Sequence, residues 1–163
     1  MNSPRPQSQS HNQGQTPQRL DYAALNPTAL ARLAGARQHL KALPEALLSL
    51  VEMRVSQING CAYCLSLHAD AARAAGTHQR RLDCLDAWQE SGLFDDREQA
   101  ALAWAEAVTR IEQGHAPEAV YQRAQAHFTP SQLADLTLAI AAMNALNRVA
   151  ISLRKQPDDW SND

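Results

Sequence analysis

The sequence predicts an all-α fold, a compact multi-helix bundle of about seven helices, and three observations carry that expectation. First, 45% of the 163 residues are apolar and only 5% aromatic, and alanine and leucine supply most of the apolar share. Such a chain offers few of the β-branched and aromatic side chains that build sheets. Second, prolines stand where helices would start and glycines just past where they would end. Third, no apolar and polar alternation of strand period persists, and no internal repeat is evident.

Taken in order, residues 1–19 (MNSPRPQSQSHNQGQTPQR) are Pro, Gln, Ser and Asn with almost nothing apolar. They are expected to form a disordered polar tail, because they bury too little surface to offset the entropy of ordering. Asn26 followed by Pro27 reads as a cap and a first helical residue, opening a helix to about Leu40. Pro44 opens a second, to about Ile58, and Asn59-Gly60 breaks the chain. A third begins around Cys61 and stops at Gly76, and Thr77 can cap a fourth that ends near Gly92. Asp95 with Glu98 has capping-box spacing and starts a long helix ending at Gly114. Pro117 begins a sixth, and Thr129-Pro130-Ser131-Gln132 launches an apolar helix through about Leu153. One helical domain over 20–155 and a short polar tail over 156–163 follow, a size that suits one domain.

Fifteen Lys and Arg against 17 Asp and Glu give a formal charge of −2, which exerts no long-range pull on nucleic acid or an anionic membrane. Neither partner is expected. No apolar run is expected to reach the roughly 20 residues that span a bilayer, and the amino terminus lacks a secretory-type apolar stretch. A cytoplasmic location is therefore expected. In a reducing compartment a close cysteine pair points to redox chemistry or metal binding more than to a structural disulfide.

The segment Cys61-Ala62-Tyr63-Cys64-Leu65-Ser66-Leu67-His68 carries the chemistry. At about 100° per residue, Cys61, Cys64 and His68 share one helix face, and the stripe continues through Ala71, Ala72 and Ala75. Cysteines in a first turn meet unpaired backbone N–H groups and the positive end of the helix dipole, which stabilise a thiolate. His68 can exchange a proton with either sulfur. The set suits attack on an electrophilic oxygen or sulfur, followed by disulfide closure between Cys61 and Cys64. Two other readings stand beside it: a zinc site formed by the pair and His68, with Cys84 or His78 as fourth ligand, and a purely structural cysteine pair. Cys84 is expected to be a small buried hydrophobe, and Tyr63 to face away from the cysteines and pack.

The run Val55-Ser56-Gln57-Ile58-Asn59-Gly60-Cys61-Ala62-Tyr63-Cys64, with His68 and Asp70-Ala71-Ala72-Arg73-Ala74-Ala75-Gly76, resembles the alkylhydroperoxidase D-like core of the carboxymuconolactone decarboxylase superfamily. Residues 95–104 and 136–148 resemble the same group, so the likeness spans about Leu20 to Leu153. It implies an alkylhydroperoxidase D-like helical bundle, often trimeric or hexameric, that reduces hydroperoxides or exchanges disulfides. By position, Cys64 resembles the peroxidatic cysteine, Cys61 its disulfide partner and proton donor, and His68 the relay histidine. The superfamily's decarboxylases do not use a redox CxxC, so the intact pair argues against lactone decarboxylation.

The sequence departs from that pattern twice. Ser49 occupies the position of the usual relay glutamate, and Tyr63 that of a histidine found in alkylhydroperoxidase D itself. Helical geometry puts Glu45, Ser49, Glu52, Ser56 and Asn59 in one polar stripe, beside an apolar stripe of Leu48, Val51, Val55 and Ile58. Glu52 is thus the candidate replacement acid, expected to favour a protonated His68; its alternative is a solvated surface glutamate. The expected activity is an antioxidant thiol peroxidase that takes a hydroperoxide, is reset by a dithiol or lipoyl-type reductant, and needs no metal or haem cofactor. A general thiol-disulfide oxidoreductase or redox sensor, and a non-enzymatic metal- or ligand-binding module, are the alternatives. Homo-oligomerisation is expected as well.

Overall fold

The computed structural model describes residues 17–157. Nine α-helices and no strands occur among them: α1 (Tyr22–Leu25), α2 (Pro27–Gly35), α3 (Glu45–Asn59), α4 (Ala62–Ala74), α5 (Gln79–Asp83), α6 (Trp88–Ser91), α7 (Asp96–Thr109), α8 (Glu118–His127) and α9 (Pro130–Leu153). The expected all-α bundle is present. The expected polar tails fall mostly on residues 1–16 and 158–163, outside the described residues. Within the first tail, the Arg19 amide donates to the carbonyl of Leu153 at 2.9 Å, which fastens the chain there to the end of α9.

Local chemistry explains most boundaries. Both capping boxes form: Asp95 accepts from the Glu98 amide at 2.8 Å, and Thr129 from the Gln132 amide at 3.3 Å, with the reciprocal side-chain bonds in place. Asn26 accepts from the Ala29 amide at 3.3 Å. The helix it opens ends at Gly35, however, and the chain tightens into a 3-10 turn over Ala36–His39. The expected fourth helix is also broken, into α5, a 3-10 turn at Leu85–Ala87, and α6. Its cap is His78, whose Nδ1 accepts from the Arg80 amide at 3.2 Å, and not Thr77. The break lets Leu82, Leu85 and Trp88 all reach one core cluster, which a continuous helix with that spacing would place less evenly.

Helix α3 lies at the centre and divides the interior. Its Leu48, Val51 and Val55 face a cluster completed by Trp104 of α7 and Leu136, Ile140 and Met143 of α9. Its Leu50 and Met53 face a second cluster with Ala72, Leu82, Leu85, Trp88, Phe94 and Leu102. Every residue from Leu47 to Ser56 is buried as a result. Ser49, Glu52 and Ser56 of the polar stripe read from the sequence are therefore inside the protein and have to find partners there, while Glu45 is exposed and Asn59 half-buried.

Helix α9, at 24 residues, is long and apolar enough by composition to cross a bilayer, which corrects the expectation that no run would be. It forms a wall of the first core cluster. A buried polar ladder also ties it to α3: Asn59 Nδ2 donates to Oδ1 of both Asn144 and Asn147 at 2.9 Å, and Asn147 Nδ2 donates to Ser56 Oγ at 3.2 Å.

Leu136→Ala should destabilise the protein by about 2–5 kcal/mol, because Leu136 is wholly buried and leaves a cavity. Thr129→Ala, which only removes a cap, should cost about 1 kcal/mol. Urea unfolding of both variants checks the ranking, and equal losses would contradict this packing.

Candidate active site

The turn between α3 and α4 fixes the first cysteine. Gly60 closes α3 in the left-handed conformation at φ 70°, where an L side chain is strained even though nothing lies within 4 Å of a Cβ built there. The Cys61 amide then donates back to the Ser56 carbonyl at 3.0 Å. Cys61 is consequently the N-cap of α4, and its Sγ accepts from the Cys64 amide at 3.3 Å. Cys64 sits inside the first turn, among amides that lack helical partners.

Cys61 and Cys64 are joined by a disulfide and are buried, at 1% and 4% exposure. His68, one turn further along α4, is buried, as is Ala72 beyond it. The expected stripe holds to that point, but Ala71 is exposed and Ala75 half-buried. Tyr63 packs partly buried against the first core cluster, with the Lys155 ammonium 5.3 Å from its ring centre. Cys84 is a free, half-buried thiol at the end of α5 and no core residue, which corrects the expectation for it. Among the described residues no three His, Cys, Asp or Glu side chains converge in a metal-binding arrangement.

Glu52 joins this site from α3. It is only 4% exposed, and its Oε2 lies 3.5 Å from His68 Nδ1. The polar stripe thus turns toward the cysteine helix, and the solvated-glutamate alternative does not describe this residue. Ser49, one turn earlier, is also buried, and its hydroxyl has no hydrogen-bond partner. Sequence reasoning missed Arg37. From the 3-10 turn after α2, its Nε meets Glu52 Oε1 at 2.6 Å and its Nη2 meets Glu45 Oε1 at 2.5 Å. No spacing in the sequence links residue 37 to residue 52, since their contact depends on where α2 gives way to the tighter turn.

Burial dominates the protonation states. It pushes the Glu52 carboxyl up to about 7, against the opposing pull of Arg37. Burial, helped by the Arg37 charge, drives His68 down to about 4. The expected imidazolium is therefore wrong for this site: at neutral pH the ring is neutral and Glu52 is the group that titrates. A Glu52 carboxylate 3.5 Å from Nδ1 favours the tautomer of a neutral His68 that carries its proton there, which leaves Nε2 with its lone pair as a base. Nε2 is buried and makes no hydrogen bond while the cysteines are bonded to each other.

A helical bundle with a buried cysteine pair at a helix start, backed by a histidine and a glutamate, is an alkylhydroperoxidase D-like protein. The chain belongs to the carboxymuconolactone decarboxylase family, whose model matches residues 24–107, just over half of it. It is 33% identical over 138 residues to the uncharacterized protein YdfG of Bacillus subtilis (strain 168), covering 83% of this chain and 94% of that protein. Its fold is similar to that of a protein of unknown function from Agrobacterium tumefaciens, provisionally described as the antioxidant defence protein AhpD. That match has a TM-score of 0.84 at 30% identity and covers 88% of this chain and 99% of the other. The debrominase Bmp8 shares the fold at a TM-score of 0.74 and 22% identity, over 83% of this chain and 74% of that one.

The raised Glu52 pKa has a stability consequence. Between its ordinary 4.5 and about 7 the folded state holds a proton that the unfolded chain releases. The associated stability is fully present below pH 4.5 and is lost as pH rises through 7. The stability of the native protein relative to Glu52→Gln should therefore fall by up to about 3 kcal/mol between pH 4 and 8. Urea unfolding across that range measures it, and a pH-independent difference would contradict the burial of an ionisable Glu52.

Proposed function

We propose that this protein is an antioxidant thiol peroxidase, with the buried Cys61 and Cys64 pair cycling between dithiol and disulfide. The observation that carries this reading is the buried cysteine pair on the same buried face of α4 as His68, with the buried Glu52 carboxyl 3.5 Å from that histidine. In the reduced protein His68 Nε2 takes the Cys64 proton, while Nδ1–H donates to Glu52 and holds the ring in the required tautomer. The Cys64 thiolate attacks the nearer peroxide oxygen, the O–O bond breaks, and the departing oxygen leaves as alcohol or water with the proton from His68. Cys64 is now a sulfenic acid. The Cys61 sulfur displaces its hydroxyl as water and closes the disulfide. A cellular dithiol, of lipoyl or similar type, takes over the oxidation and restores both thiols.

Cys64 is assigned the nucleophile because it lies within the first turn of α4, four residues from His68, and its position matches that of the peroxidatic cysteine of alkylhydroperoxidase D-like proteins. Cys61, at the cap, is assigned the resolving role. A cytoplasmic setting suits a cycle that needs dithiol reductant. Assembly into a homo-oligomer, a trimer or a hexamer, would cover Leu25, Leu67, Leu138 and Ile151, large apolar side chains that a single chain exposes.

Stoichiometric peroxide added to the reduced protein should give a Cys61 to Cys64 bridge with Cys84 left as a thiol. Cys64→Ser should abolish peroxide turnover. Cys61→Ser should undergo one oxidation and yield a sulfenic acid trapped by dimedone. Mass mapping checks all three. A dominant bridge through Cys84 would overturn the pairing, and oxidation that survives in Cys64→Ser but not in Cys61→Ser would exchange the roles. Disulfide exchange on a protein substrate without peroxide consumption would replace the peroxidase reading with that of a thiol-disulfide oxidoreductase.

A further inference from the structure

Glu52 is held at two points, not one. Its Oε2 faces His68 Nδ1 at 3.5 Å, and its Oε1 meets Arg37 Nε at 2.6 Å. A carboxylate gripped on one oxygen by a guanidinium cannot rotate freely, so the other oxygen keeps a fixed direction. Arg37 is held in turn by Glu45, through Nη2. Two different carboxylates thus engage two nitrogens of one planar fork, a geometry that a lysine ammonium on a flexible stem does not reproduce. Arg37 is about a quarter exposed, at 27% of its side chain, and lines an open cavity of about 660 Å³ with Lys41, Leu43 and Glu45. Arg37 therefore reaches from the buried Glu52 to solvent.

We infer that Arg37 is a positioning residue of this site: by clamping Glu52 Oε1 it aims Oε2 at His68 Nδ1 and keeps the glutamate in the carboxylate form that makes His68 Nε2 the base. The inference rests on the peroxidase reading for its catalytic consequence, but not for its electrostatic one.

The charges around Glu52 give the inference a sign. Arg37, from the turn after α2, lowers the Glu52 pKa, and Glu45, on α3 itself, raises it. His68 is the titratable neighbour from α4. On the other packed elements, Glu106 of α7 and Asp86 are engaged with Arg54, and Asp135 of α9 accepts from the Ala42 amide. Arg37 and Glu45 should therefore act on Glu52 in opposite directions, which a purely structural role for Arg37 does not produce.

The test uses the full chain in three variants: Arg37→Gln, Arg37→Lys and Glu45→Gln. The Glu52 carboxyl is titrated by carbon NMR, with Glu52→Gln identifying its signal, and the rate of cysteine oxidation by hydrogen peroxide is followed across pH. In Arg37→Gln the Glu52 midpoint should rise by about one unit or more, as loss of an adjacent opposite charge requires. The oxidation rate at pH 7 should then fall roughly fivefold or more, the ionised fraction dropping from about a half to about a tenth when the midpoint rises by one unit from 7. Arg37→Lys, which keeps the charge, should return the midpoint toward that of the native chain and recover part of the rate. Glu45→Gln, a change at an exposed residue, should lower the midpoint. A midpoint unmoved in Arg37→Gln, or a midpoint that moves while the pH profile of oxidation stays in place, overturns the inference. A native chain that peroxide fails to oxidise overturns the peroxidase reading alone, and the carboxyl titration still decides whether Arg37 controls Glu52.

Discussion

Helix α3 runs through the middle of the molecule with Leu47 to Ser56 buried, yet it is not apolar all round. It carries Ser49, Glu52, Arg54 and Ser56 into the interior. A helix in that position obliges each polar group to be paired or to change its protonation state. Ser49 apart, whose hydroxyl has no partner, the surrounding architecture meets that obligation. Arg54 is satisfied by Asp86 and Glu106, and Glu106 also accepts from the Trp88 indole at 2.8 Å, which anchors α6. Ser56 donates to the Glu52 carbonyl at 2.8 Å and accepts from Asn147 of α9. Glu52 is left to Arg37 and His68, and in that way the central constraint becomes chemistry.

The competition at Glu52 is between desolvation and charge pairing, and desolvation is the larger effect despite an arginine in direct contact. Had pairing won, Glu52 would be a permanent carboxylate; had the arginine been missing, burial would hold it protonated well above neutrality. That balance places its titration near 7, so the carboxylate facing His68 Nδ1 is partly formed at neutral pH. His68, buried beside the same arginine, stays neutral, and so can accept a thiol proton where an imidazolium could not. The division of labour differs from the one the sequence suggested, in which a carboxylate would hold His68 charged.

The features legible in the sequence were those set by local chemistry. The capping boxes at Asp95 and Thr129, the Asn59-Gly60 break, and the common face of Cys61, Cys64 and His68 all follow from residues within one or two turns of each other. The placement of Glu52 on the same face as Ser49 was also legible, because helical spacing keeps both on one stripe, and the structure sets it 3.5 Å from His68. Arg37 was not, since it meets Glu52 across elements whose docking no local pattern encodes. The break between α5 and α6 was hidden for the same reason: Leu82, Leu85 and Trp88 follow a packing demand from the second core cluster. The protonation state of His68 required knowing its burial, which the sequence of α4 alone does not reveal.

In the proposed cycle His68 takes the Cys64 proton while its Nδ1 faces Glu52, so the native protein should reveal that glutamate in its own kinetics. The most direct measurement is the rate at which excess peroxide closes the Cys61 to Cys64 bridge in fully reduced protein, followed by rapid mixing and acid quench from pH 5 to 9. The rate should rise with a one-proton dependence centred near 7, the value to which burial raises Glu52. A profile centred instead near the free thiol value of about 8.5, or one flat across the range, would contradict control of the cysteine pair by the buried glutamate.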